Sequence, residues 1–212
     1  MKKQNLKGSA VVLSVTAVLW LAANVFAADA KSMEGDAAKA GAPAMDEAMM
    51  AKMQEYGTPN ENHKVLQQLV GSWEYSVKMW MAPDAPPDES TGNSEVSAIL
   101  GDRFIQETTT GTAHNQPFEG RGICGYDNVK KEYNHLWIDN MGTGMMMVSA
   151  SYDAATKTFS GKGNMSCPIN GPMSIRTVMK ILDVNTHTYE MYMPDKSGKE
   201  FKAMEITYRR KS

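Results

Sequence analysis

Four side chains in one short run are best placed to do chemistry. Tyr133, His135, Trp137 and Asp139 alternate with Asn134, Leu136 and Ile138. A period of two puts the first set on one face of a β-strand, with successive members about 7 Å apart. A phenol, an imidazole, an indole and a carboxylate on one face can orient a small ligand by hydrogen bonds inside an apolar cavity. At that spacing they share a ligand more readily than they bond to one another. The opposite arrangement is equally consistent with the alternation: Leu136 and Ile138 inside, His135 and Asp139 in water. An enzyme using His135 and Asp139 would need both within hydrogen-bond reach of each other or of a common cavity.

Other residues extend the candidate site. Tyr75 and Met79 share the apolar face of residues 71–81 and qualify as cavity wall, and Met147 joins them from the run Met145-Met146-Met147. Arg176 either points inward, toward a ligand carboxylate or Asp139, or lies outside a strand whose Ile175, Thr177 and Met179 face in. The chain holds 18 methionines. Thioethers suit copper(I), but methionine is also a flexible filler of apolar interiors, so a Met-lined pocket or a packed core is expected and no metal site. Of His63, His114, His135 and His187, only His135 falls mid-strand in this reading, which disfavours haem; no cofactor is expected. The chain has no G-x-S-x-G elbow, H-E-x-x-H pair, phosphate-cradling glycine loop or G-x-G-x-x-G before a helix, so a non-catalytic role is expected.

The elements that must position these residues are strands. Gly71 to Met81 alternates Trp73, Tyr75, Val77, Met79 and Met81 against Ser72, Glu74, Ser76 and Lys78, the pattern of a half-buried strand. Nine more follow, at about 91–100, 103–112, 116–126, 131–140, 145–152, 158–167, 173–182, 187–193 and 200–210, separated by short turns rich in Gly, Asn, Asp and Pro. No crossover helix separates any two, so pairing is antiparallel. A ten-stranded meander tends to close, because closure removes its open edges. The fold expected is all-β, an up-and-down barrel. Glycines at alternate positions, Gly120 with Gly122 and Gly161 with Gly163, leave room for a bulky side chain or a ligand.

The first seventy residues read differently. Lys2, Lys3 and Lys7 precede the apolar run from Ala10 to Ala23, and Val25-Phe26-Ala27 offers a cleavage site after Ala27, so residues 1–27 read as a signal peptide. An uncleaved anchor is the alternative. Residues 28–43 read as a disordered tether. Met45, Met49, Met53 and Tyr56 then mark one face of a first short helix, ended by Gly57 and Pro59. Residues 62–70 form a second, capped by Asn60 or Asn62. Without the leader lysines, 19 basic residues face 24 acidic ones, too little positive charge to track nucleic-acid phosphates. Export permits a disulfide between Cys124 and Cys167; two separate buried thiols are the alternative.

Two resemblances add to this. Gly71-Ser72-Trp73 resembles the G-x-W signature of lipocalin and related calycin barrels. The resemblance implies that Trp73 plugs one barrel end, with Arg209 or Arg210 of the last strand over its ring. Residues 63–211 resemble bacterial domain-of-unknown-function family 1579. The segments that carry this are Val77-Lys78-Met79-Trp80-Met81-Ala82-Pro83, Gln116-Pro117-Phe118-Glu119-Gly120, Gly125-Tyr126-Asp127-Asn128, Trp137 to Gly144, and Met204-Glu205-Ile206-Thr207-Tyr208. It implies a calycin-like barrel and no established activity.

The expectation is therefore a periplasmic or secreted barrel that binds a small apolar or amphipathic molecule, with the first helix over one mouth. It has no membrane span once the leader is cleaved. A solid barrel serving as a structural or protein-interaction module is the alternative.

Overall fold

A computed structural model describes residues 46–168 and 171–212. The expected signal peptide and tether lie outside the described residues. Two helices, α1 (Glu47–Gly57) and α2 (Glu61–Gln67), precede ten strands: β1 (Gly71–Met79), β2 (Asp88–Ile99), β3 (Phe104–Ala113), β4 (Gln116–Asp127) and β5 (Glu132–Asp139), then β6 (Met146–Asp153), β7 (Thr158–Cys167), β8 (Gly171–Asp183), β9 (Thr186–Pro194) and β10 (Glu200–Arg210). Each strand pairs with its sequence neighbours, and β1 pairs with β10 to close the barrel. Every pairing is antiparallel, as the short turns require. No helix among the described residues is long and apolar enough to cross a membrane.

Alternation sets the faces. In β1 Trp73 and Tyr75 are buried and Glu74, Ser76 and Lys78 exposed. The register carries this around the wall: Val96 faces Glu107, Cys124 faces His135, His135 faces Val148, and Tyr208 faces Tyr75. Each named residue therefore projects into the lumen.

One end is plugged by α2, not α1. The α2 N-cap is Asn60, in a capping box with His63. Leu66 and Leu69 insert among Ile105, Tyr133, Phe159 and Ile181. Tyr133 Oη donates to the Asn62 carbonyl at 3.0 Å and Trp73 Nε1 to that of Leu69 at 2.8 Å. Helix α1 buries no residue, which corrects the expectation that the first helix covers a mouth. Its stripe of Met49, Met53 and Tyr56 is exposed. Only its C-terminal end is tied down: Asn128 Nδ2 donates to the carbonyls of Glu55, Tyr56 and Thr58.

Arg210 closes the plugged end. Its guanidinium lies 4.1 Å from the centre of the Trp73 ring. It donates to the carbonyls of Val70 at 2.8 Å, Gln68 at 3.0 Å and Val184 at 2.9 Å. Gly71 is required beside it: its φ is 137°, and a Cβ there would collide with the Arg210 guanidinium. Of the two arginines weighed for this place, Arg210 takes it, while Arg209 is exposed. Arg210→Ala should cost about 2–3 kcal/mol, from three lost charge-assisted bonds and the ring contact, and Arg209→Ala less than about 0.5 kcal/mol. Urea unfolding of both variants checks this; equal effects would contradict the assignment.

Candidate functional site

From the plugged end a train of rings runs inward. Beneath Arg210 and Trp73, His187 meets Trp73 edge-on at 4.4 Å and stacks on Tyr208 at 4.3 Å, and Tyr208 leans on Tyr75 at 5.9 Å. The sequence reading put His187 at the very start of a strand; it lies inside β9, buried. Burial, then the charge of Arg210, pushes its pKa down to about 4.

Beyond the rings lies a polar layer around a residue that the sequence reading missed. Glu107 of β3 projects inward, and Ser94 Oγ at 2.6 Å and Thr109 Oγ1 at 3.0 Å both donate to its Oε1. Oε2 receives no protein donor among the described residues. Burial raises the Glu107 pKa, against the pull of these two bonds. The charge on Glu107 is in turn felt by three phenols, adding to burial in raising Tyr75 to about 12 and in raising Tyr189 and Tyr208 further. The Tyr189 hydroxyl is buried without a hydrogen-bond partner. A signal for Glu107 existed: the tight hairpin at Gly101-Asp102 sets Val96 opposite Glu107.

His135 joins this layer. The inward face of β5 is Tyr133, His135, Trp137 and Asp139, which decides between the two arrangements left open by the alternation. Gly122, between β3 and β5, is flanked by both groups: a Cβ there would lie 3.1 Å from His135 Nε2 and 3.4 Å from Glu107 Cβ. Burial alone pushes the His135 pKa down to about 4. His135 and Asp139 are not brought together. They stand four residues apart, roughly 13 Å of strand. Asp139 is already committed, accepting from Trp137 Nε1 at 2.8 Å and from the Met141 amide at 2.9 Å. A direct hydrogen bond between His135 and Asp139 is therefore not formed; the two share only the inward face of β5.

The far end is lined by thioethers. Met146, Met165, Met193 and Met204 pack half-buried around Val148, Ile175 and Met191, Met79 and Met173 are half-buried opposite Met204 and Met165, and Trp137 lies across Gly120 beside Phe118. The paired glycines thus make room for side chains: Trp137 on β4, Val148 and Thr177 on β7. No described element covers this end. Glu107, His135, Tyr189, Tyr208 and Ile206 lie deep in the barrel yet stay half-buried; the space beside them is not filled with protein.

Four expected residues leave the list. Met147 is outward and 63% exposed, and its neighbour Met146 faces in. Arg176 is outward, bound through Nε and Nη2 to Glu200 and lying 3.8 Å above the Tyr192 ring; it borders open grooves on the outer wall. Cys124 and Cys167 are both free. Cys124 aligns through His135 and Val148 with Gly163, three strand spacings of about 4.8 Å away, and Cys167 lies four residues further along β7. That separation far exceeds the roughly 7 Å Cα limit of a disulfide.

A closed ten-stranded antiparallel barrel, plugged by a short helix under a G-x-W tryptophan and its arginine, is a lipocalin-like, calycin-like fold. The chain belongs to the family described as "Protein of unknown function (DUF1579)", whose model matches residues 58–210. Among solved structures, Rv2717c from M. tuberculosis is similar at 13% identity and a TM-score of 0.55, covering 73% of this chain and 100% of that one. The S-type phycobiliprotein lyase CPES from Guillardia theta is similar at 10% identity and a TM-score of 0.49, covering 76% and 97%. At such identities the likeness concerns the fold alone. No curated protein matches the chain.

The Glu107 shift has a stability consequence. A carboxyl whose folded pKa lies above its unfolded value near 4.5 contributes stability fully present below that pH, lost as pH rises through the folded pKa. Glu107→Gln keeps an acceptor for Ser94 and Thr109. It should raise the Tm at pH 8, with the gain shrinking toward pH 4. Calorimetry at both values checks this, and a lowered Tm at pH 8 would contradict it.

Proposed function

We propose that this chain is an exported, non-catalytic barrel that binds a small amphipathic molecule in its lumen. One observation carries the reading: Glu107 Oε2 and His135 face lumen space beside the Tyr189 hydroxyl, which is buried without a partner, below a rim of apolar, adaptable thioethers. Burying polar groups without partners is costly. A ligand head that supplied the missing partners would recover that cost, and the methionines would accommodate its body. Against catalysis, the one imidazole in this layer stands apart from Asp139. The leader at residues 1–27 supports export.

Nile red, an uncharged apolar dye, tests lumen binding. The protein should bind it with one site and a blue-shifted emission. Ile206→Trp and Val77→Trp, which fill the middle of the lumen from β10 and β1, should each weaken binding at least about tenfold, near the loss of one buried contact set. Binding unaffected by either variant would place the dye elsewhere and contradict the reading. Export is checked by the intact mass of the protein from the source cells, which should correspond to a chain beginning at Ala28; a chain that retains its leader would contradict it.

A second reading, an interaction module, is favoured by one feature, the exposed Met49, Met50, Met53 and Tyr56 of α1. It and lumen binding are separable, since α1 touches the barrel only through its C-terminal end.

A further inference from the structure

We infer that the lumen selects a cationic amphiphile, an amine or quaternary ammonium with an apolar body, and that Glu107 is its counter-ion. This rests on the lumen-binding reading and names the ligand class.

The charges that face the lumen are unbalanced. Among the described residues, the acidic side chains of Glu107 and Asp139 project inward, and at the open rim Asp88, opposite Met79, is already paired with His114 at 2.7 Å. The inward cation is Arg210, and it is spent: three backbone carbonyls hold its guanidinium and Trp73 covers one face. The other basic side chains of the wall point out. Lys78, Lys162 and Lys180 are exposed. Arg121 pairs with Glu119, Arg176 with Glu200, and Lys202 with Glu190 and Glu205, all on the outer face. A fatty-acid carboxylate entering this lumen would meet a carboxylate and no free cation. Placing like charges together in a poorly hydrated site is unfavourable.

A cation meets the reverse. Glu107 Oε2 is an acceptor without a protein donor. The Tyr189 hydroxyl, buried and unpartnered, is an independent sign that the layer awaits a partner, and its oxygen accepts from an ammonium as readily as from any other donor. Tyr75, Tyr189 and Tyr208, which feel the charge of the same carboxylate, add aromatic surface of the kind that holds alkylammonium groups. Above them, Met79, Met146, Met165, Met191, Met193 and Met204 offer soft, polarizable surface to an alkyl or aromatic body.

The test uses one tail and three heads. Dodecyltrimethylammonium, dodecanoate and dodecanol, each below its micellar or solubility limit, displace Nile red from the mature protein at pH 8. The ammonium should bind at least roughly tenfold more tightly than dodecanoate, the size of one charge-assisted contact. In Glu107→Gln the ratio of ammonium to dodecanol affinity should fall by about the same factor. Glu107→Gln keeps shape and both hydroxyl bonds; if it does not fold, the wild-type ranking still decides. Dodecanoate binding as tightly as the ammonium, or a ratio insensitive to Glu107→Gln, overturns the cationic class and leaves lumen binding standing. Failure of all three to displace the dye overturns the inference together with the reading beneath it.

Discussion

The stack of the Arg210 guanidinium on Trp73 is the contact on which the rest of this barrel depends. It joins the last residue of β10 to the third residue of β1, the seam where the sheet closes. The same guanidinium reaches Gln68 and Val70, at the C-terminal end of α2, and Val184 in the β8–β9 turn. One cation thereby satisfies three carbonyls on two chain segments and ties both to the β1–β10 seam. Gly71 follows from this, since any Cβ would occupy the guanidinium's place. So does the plug: α2 is seven residues long, too short to be stable alone, and is held by what it buries and by this staple.

Closing one end with a packed plug decides the character of the other. Leu66, Leu69, Tyr133 and Phe159 fill the lower lumen with apolar mass, enough to anchor the fold. The upper lumen is relieved of that duty. It carries a carboxyl, an imidazole and three phenols, a layer that burial alone would disfavour. The raised Glu107 and depressed His135 pKa values express the same cost in protonation. Such a layer is the kind of local inconsistency that folds tolerate where function asks for it. Glu107 and His135 also stand on either side of Gly122, so the strand between them contributes backbone and no bulk.

Much of the fold was legible in the sequence because period-two alternation and turn residues are local signals. Strand positions came within a few residues, and Gly71-Ser72-Trp73 with an arginine at the far end of the chain foretold the closing contact. The site was less legible. Alternation says which residues share a face but not which face is inside, and the usual guide, apolar residues inward, fails where a lumen is polar. It therefore could not decide between His135 with Asp139 and Leu136 with Ile138. Glu107 was missed because the run Gln106 to Thr112 has no apolar face at all; only its pairing with Val96 shows its direction. Met147 and Arg176 went astray by one position each, which on a strand is the whole difference between lumen and solvent. The Met stripe of α1 looked like a docking face and covers nothing in this chain, whereas α2, with weaker periodicity, is the plug.

The central claim is that the upper lumen is a binding site and not merely an imperfectly filled core. Native mass spectrometry of the protein purified under non-denaturing conditions from its source cells tests it most directly. The account predicts a 1:1 complex with a small molecule, released on denaturation and recoverable as a cation. A protein that carries no added mass from the cell, and gains none when exposed to an extract of the same cells, would contradict it.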